Sequence, residues 1–88
     1  MILKLFSVYD NKAQAYLPPF AAVNAGVALR MFRDSATAAD HMFTRYPLDY
    51  HLFEMGTFDD VMGKVEAVLP HNLGPAAQFT DSIAKVVP

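Results

Sequence analysis

The sequence predicts an α+β fold in which an antiparallel sheet of two hairpins packs against helices, in the order β-β-α-α-β-β. Two observations predict it. Residues 2–9 and 49–58 are runs of apolar and aromatic side chains typical of strands, and a turn signal follows each run. Between them, a segment rich in helix formers follows Asn24, a residue type that caps helix N-termini.

The first hairpin begins with the strand at residues 2–9. An Asp-Asn-Lys turn follows at residues 10–12, because Asp and Asn side chains readily bond the backbone of a turn. Residues 13–17 are predicted to return as a short second strand. The Pro-Pro step at residues 18–19 is expected to end that strand, since proline has no N–H to donate to a neighbouring strand.

Two helices are predicted between the hairpins. The first follows Asn24, and its inward stripe is expected to contain Ala28, Met31, Phe32 and Ser35. Thr37 stands three residues before Asp40, a spacing that resembles a capping box, so a second helix is predicted to begin at Thr37. This helix should stop near Tyr46, because Pro47 disfavours helical geometry in the residue before it.

The second hairpin is predicted from the strand at residues 49–58, a turn containing Gly63 and a returning strand at residues 64–69. A short C-terminal helix is predicted after it. Pro75 suits the first position of that helix, and apolar residues follow at helix-like spacing: Phe79, Ile83, Val86 and Val87.

Composition limits the chain to one small domain. Its 88 residues contain no repeat or linker, so we expect a single domain, 1–88, with an α+β core at residues 1–69 and a tail or C-terminal helix at residues 70–88. Apolar residues make up 53% of the chain and charged residues 18%, which favours a homodimer that covers the apolar surplus. The chain has no cysteine and no apolar run near the roughly 20 residues that span a bilayer, so we expect a soluble intracellular protein without membrane contact.

The sequence offers little for catalysis. Its three histidines, His41, His51 and His71, have none of the spacings that zinc sites use, and no nucleotide-binding or hydrolase motif is present. Asp59 and Asp60 are typical of a hairpin turn. We therefore expect no enzyme activity, no catalytic residue, no metal site and no cofactor.

Cations and aromatic residues in the first half of the chain indicate a surface for nucleic acid. The net charge is −2, so any basic patch must be local. Single strands are held by rings that stack on bases and by cations that meet phosphates. The predicted phosphate contacts are Lys4, Lys12, Arg30, Arg33 and Arg45. The predicted stacking residues are Tyr9, Tyr16 and Tyr46.

The same residue types also fit structural roles. Core positions are expected for five phenylalanines: Phe6, Phe20, Phe32, Phe43 and Phe53. The three tyrosines are equally typical of half-exposed structural positions. Arg30 and Arg33 are neighbours on one helix flank, where solvation or pairing with Asp34 or Glu54 is the alternative to phosphate binding.

Three stretches carry a family resemblance. They are LFSVYDNKAQAYLPPF at residues 5–20, ALRMFRD at residues 28–34 and YPLDYHLFEMGTFDD at residues 46–60. In this order, and over most of the chain from about Leu3 to Leu69, they resemble the small nonstructural protein of gokushovirus-type microviruses. These are bacteriophages with circular single-stranded DNA genomes.

The resemblance implies a phage-encoded, non-capsid protein that acts in the host bacterial cytoplasm during genome replication or packaging. Its implied ligand is single-stranded DNA, which agrees with the aromatic and basic first half. A second interpretation stays open. The abundance of Met and Phe, with few charges, also favours a protein-interaction module that binds a host or phage replication or assembly protein.

Overall fold

The computed structural model describes residues 1–79, and it confirms a mixed α+β fold with an antiparallel sheet. The strands are β1 (Ile2–Asp10), β2 (Ala15–Tyr16), β3 (Phe20–Ala22), β4 (Tyr50–Asp59) and β5 (Lys64–Pro75). The helices are α1 (Ala25–Ala36) and α2 (Met42–Arg45). Among the described helices, none combines the length and apolar character needed to cross a membrane.

Strand β1 is the centre of the sheet. It pairs along its whole length with β4, and β4 pairs in turn with β5, which forms one edge. On the other side of β1, β2 pairs with its C-terminal end and β3 with its middle. The order in the chain is therefore β-β-β-α-α-β-β, with one strand more than the sequence predicts.

The additional strand follows the Pro-Pro step. The turn before it is as predicted, because the Asp10 carboxylate accepts hydrogen bonds from the backbone N–H groups of Lys12 and Ala13. The two prolines interrupt the pairing with β1, and it resumes at Phe20, whose ring stacks on Phe6 at 5.9 Å between centroids. Proline removes two donors from the ladder without preventing the next residues from extending it. The step is thus a gap between β2 and β3 and does not end the pairing.

The helices cover one face of the sheet. Phe6 and Val8 of β1 and Leu52 of β4 point to this face and are almost completely buried. They meet the buried residues of the helices, which are Ala28, Phe32 and Ala36 in α1 and Phe43 in α2. Four of the five phenylalanines expected in the core pack in this layer, Phe20 being half-buried. Met31, predicted on the inward stripe of α1, is 46% exposed, and Ala36 lies inward instead.

The predicted start of the second helix is wrong. Asn24 caps α1 as expected, because its side-chain oxygen accepts from the N–H of Val27 at 2.9 Å. Thr37, however, ends α1, and its hydroxyl donates to the carbonyl of Arg33 at 2.9 Å. The chain then turns through Asp40 at a φ of +59°, and α2 starts only after His41, whose ring nitrogen accepts from the N–H of Phe43. A threonine near a helix boundary suits either end, since its hydroxyl can serve as acceptor or donor.

Strand β5 runs six residues beyond the predicted end at Leu69. Its register against β4 shifts twice, and the shift between Glu54 and Gly56 accommodates the segment at residues 68–70, which includes Pro70. Bulges allow proline within an edge strand. Pro75 therefore ends β5 and does not begin a helix. Residues 77–79 are helical, and Ile83, Val86 and Val87 of the predicted C-terminal helix lie outside the described residues.

Candidate nucleic-acid interface

The sheet has a second face, opposite the helices. Side chains alternate between the two faces along a strand, so Ser7 and Tyr9 of β1 point away from the layer that holds Phe6 and Val8. Residues paired across strands share a face, and Tyr9 is paired with both Tyr16 and His51. We call this side the open face.

Three rings meet at one end of the open face, and we call them the aromatic cluster: Tyr9, Tyr16 and Phe53. Their centroids lie 4.9 Å apart for Tyr9 and Tyr16, 5.5 Å for Tyr16 and Phe53, and 6.2 Å for Tyr9 and Phe53. All three contacts are edge-to-face, a favoured geometry that fixes the rings relative to one another. Tyr16 is 43% exposed and the other two are half-buried, so Tyr16 is the most accessible ring of the cluster.

Lys12 lies in the exposed turn between Tyr9 and Tyr16. The N–H of Asn11 in this turn donates to the carbonyl of Asp49 at 2.8 Å. This bond fastens the turn to the loop that follows α2. Arg45, the last residue of α2, is exposed, and Tyr46 after it is 57% exposed. Five of the predicted site residues are therefore found at the same end of the sheet: Tyr9, Lys12, Tyr16, Arg45 and Tyr46.

The other three predicted phosphate contacts lie elsewhere. Lys4 is on the helix-covered face, where its ammonium group is 3.6 Å from the Glu54 carboxylate. Arg30 and Arg33 project from α1, in the layer opposite the open face, and Arg33 is 3.8 Å from Asp34. The eight predicted residues thus do not form one surface, because the alternation of β1 and the layering of the fold separate them.

The end of the sheet that carries the cluster is nearly balanced in charge. Lys12 and Arg45 are its cations, and Asp10 and Asp49 are nearby carboxylates. Burial raises the pKa of the Tyr50 phenol, and the negative charges of Asp10 and Asp49 raise it further. This end of the sheet therefore carries aromatic rings but little net positive charge.

Sequence reasoning missed two residues of this face. Phe53 was predicted in the core, yet it belongs to the aromatic cluster. His51 lies on the same face, with its ring nitrogen 3.3 Å from the side-chain amide of Asn72. The signal was available in the alternation of β4, where Tyr50 and Leu52 face the core. Within residues 1–79, no group of three His, Asp or Glu side chains is placed to hold a metal ion.

Fold and site together define a small α+β protein with one sheet face covered by helices and one carrying a cluster of aromatic rings, of which Tyr16 is exposed. The family model described as Phage ORF5 protein matches residues 3–79, so the chain belongs to this family of bacteriophage proteins. Neither a curated protein nor a solved structure matches it.

Proposed function

We propose that this phage protein binds single-stranded DNA, largely without sequence preference and without catalysis. We assign it to the gokushovirus-type microviruses, where it would act in genome replication or packaging in the host bacterial cytoplasm. The observation that carries the proposal is the aromatic cluster on the open face beside Lys12. Membership in a phage family supports the setting.

Binding would begin with a base stacked on Tyr16. Tyr9 and Phe53 hold that ring from the side, so little side-chain freedom is lost when the base arrives. Lys12 and Arg45 would meet phosphates on either side, and Tyr46 would offer a second ring. Lys4, Arg30 and Arg33, which lie in other parts of the fold, would contribute only to the general potential.

The charge arrangement gives this proposal a measurable signature. A phosphate neutralised on a single strand contributes about −0.7 to the slope of log K against log salt. Two phosphate contacts per copy, by Lys12 and Arg45, predict a slope of about −1.4, which is shallow for a DNA-binding protein. Replacing Lys12 by Ala should reduce the slope by about half, whereas Arg30→Ala should leave it unchanged.

The decisive experiment is fluorescence anisotropy of a labelled single-stranded oligonucleotide, with duplex of the same sequence as competitor. Tyr16→Ala should weaken binding by about 5- to 150-fold, the loss of one stacked base at about 1–3 kcal/mol. Met31→Ala is the matched control, because Met31 is similarly exposed but lies on α1. Absence of binding at low salt, or equal losses in the two variants, would refute the proposal.

A second candidate function is supported by a groove of about 230 Å³ between α1 and the chain around the Pro-Pro step. Its lining is mostly apolar and consists of Val8, Leu17, Pro18, Phe20, Met31, Phe32, Ser35 and Phe43. An apolar peptide of a host or phage replication or assembly protein would suit this groove. In that case Met31→Ala would weaken retention of the partner, while Tyr16→Ala would leave it intact.

A further inference from the structure

The outer edge of β5 is open. Within residues 1–79, β5 pairs only with β4, and its residues 64–72 are all exposed. A Cβ built on Gly56 of β4 would lie 2.4 Å from the carbonyl oxygen of Glu66, so this carbonyl is directed towards β4. Backbone groups alternate between the two edges of an antiparallel strand, and those of Val65 and Ala67 therefore point outward, free to accept another strand.

We propose that this edge pairs with the same edge of a second copy, antiparallel, about a two-fold axis at Val65. The paired segment is residues 63–67, which we call the edge segment. Val65 then lies opposite Val65 of the second copy, Lys64 opposite Glu66, and Gly63 opposite Ala67. The composition already favours a dimer, and this geometry assigns its interface without any reference to DNA.

Charge selects this register. Lys64 and Glu66 lie on one face of β5, with their charged groups 2.9 Å apart. An axis at Val65 gives two cross-strand pairs of opposite charge, which stabilise antiparallel pairing. An axis at Glu66 would set that carboxylate against its own copy. An axis at Ala67 would set Lys64 against Pro70 and Glu66 against Val68, so neither charge would meet an opposite charge.

The exposed apolar side chains near the edge segment are also arranged symmetrically about Val65. Val61 and Met62, in the turn before the edge segment, are 78% and 76% exposed. Leu69 and Val68, at equal distances on the other side of Val65, are 89% and 45% exposed. In the antiparallel dimer, Val61 and Met62 of one copy lie near Leu69 and Val68 of the second copy. The side chains of both pairs therefore become less exposed to solvent.

The arrangement is also closed. An interface that uses the same patch on both copies consumes that patch, and no second β5 edge remains to recruit further copies. Pro70 and the bulge beside it limit pairing to the regular part of the strand. At the opposite edge of the sheet, β2 and β3 have only two and three residues, too short to continue the assembly.

Charge reversal with complementation tests the proposal. The Lys64→Glu chain has acidic side chains at positions 64 and 66, and the Glu66→Lys chain has basic side chains at these two positions. Each variant alone should dimerise about tenfold more weakly or worse in sedimentation equilibrium, because two attractive pairs become repulsive. An equimolar mixture should recover wild-type affinity as the mixed dimer. Lys12→Glu and Asp34→Lys, which make the same charge changes on exposed sites elsewhere, should leave dimerisation unchanged.

The mixing experiment distinguishes an effect at the interface from an effect within one chain. Repulsion between residues 64 and 66 of the same chain is present in the pure and in the mixed samples, so only contacts between chains can explain a recovery of affinity on mixing. A monomeric wild type, or a mixture no tighter than its components, would overturn the proposal. Val65→Pro is a second test, since it removes an outward N–H without touching the pairing to β4. It should abolish the dimer with unchanged far-ultraviolet circular dichroism. DNA binding by the monomer would survive these variants, so failure here is distinct from failure of the proposed function.

Discussion

The substitution Gly56→Ala tests how closely β4 and β5 approach each other. An added methyl group would lie 2.4 Å from the Glu66 carbonyl oxygen and 3.5 Å from the Cα of Ala67. Ordinary contact begins near 3.5 Å, so the strands would have to separate by about 1 Å. Overpacking of this kind costs about 1–3 kcal/mol. In a domain of this size, each kcal/mol lowers Tm by about 4–8 °C.

The direction of the stability change caused by Gly56→Ala shows whether β4 and β5 are in close contact at this position. At a strand position with free space, replacing glycine by alanine would stabilise the fold by roughly 0.4–1 kcal/mol, because the unfolded chain loses freedom. Gly56→Ala should instead lower the urea midpoint and Tm. Gly63→Ala is the control: an added methyl group there would meet no atom within 4 Å beyond its chain neighbours, and its loss of stability should come only from the φ of +66°. A Gly56→Ala protein as stable as wild type would refute the close packing described for this hairpin.

Substitutions at three further positions test the core, the helix cap and the hairpin turn. Phe32→Ala should destabilise the fold by about 3–5 kcal/mol in urea denaturation, because Phe32 is buried against Phe43 at 5.4 Å. Asn24→Ala should cost about 1 kcal/mol in thermal melting by removing the cap of α1, and Asn24→Asp should retain most of the stability. Backbone N–H groups in the turn lower the pKa of Asp59, so its charged form stabilises the fold at neutral pH, and this contribution disappears as pH falls through the lowered pKa. Asp59→Asn should therefore show a smaller loss of stability on acidification than wild type.

The parts of the fold set by local chemistry were predictable. The turn after β1 follows from the Asp10 side chain, and the start of α1 follows from Asn24. The strand β3 was not predictable, because the chain resumes pairing after two prolines only where β1 offers a partner for Phe20. The length of β5 depends likewise on a bulge against β4, which no local signal encodes.

The candidate site also has one part that the sequence predicts and another part that depends on tertiary packing. Tyr9 and Tyr16 meet because they flank a short turn in paired strands, and this proximity follows from the predicted hairpin. Their separation from Lys4 was also encoded, since an odd number of residues along a strand changes the face. The distance of Arg30 and Arg33 from the open face depends on which side of the sheet the helices cover. That choice is made by tertiary packing around Phe6 and Phe32.

The two proposals combine into one prediction about strand length. A two-fold axis at Val65 is perpendicular to the sheet, so the open faces of both copies lie on the same side of one continuous sheet. A single DNA strand could then reach both aromatic clusters, and such bivalency strengthens binding by roughly 100-fold or more without any new contact. An oligonucleotide long enough to cross the dimer should bind far more tightly than one that covers a single copy. Lys64→Glu, measured below its dimer Kd, should remove the advantage of the long strand and leave the short one unaffected. Equal affinities for the two lengths in the wild-type dimer would show that the two clusters do not act on one strand.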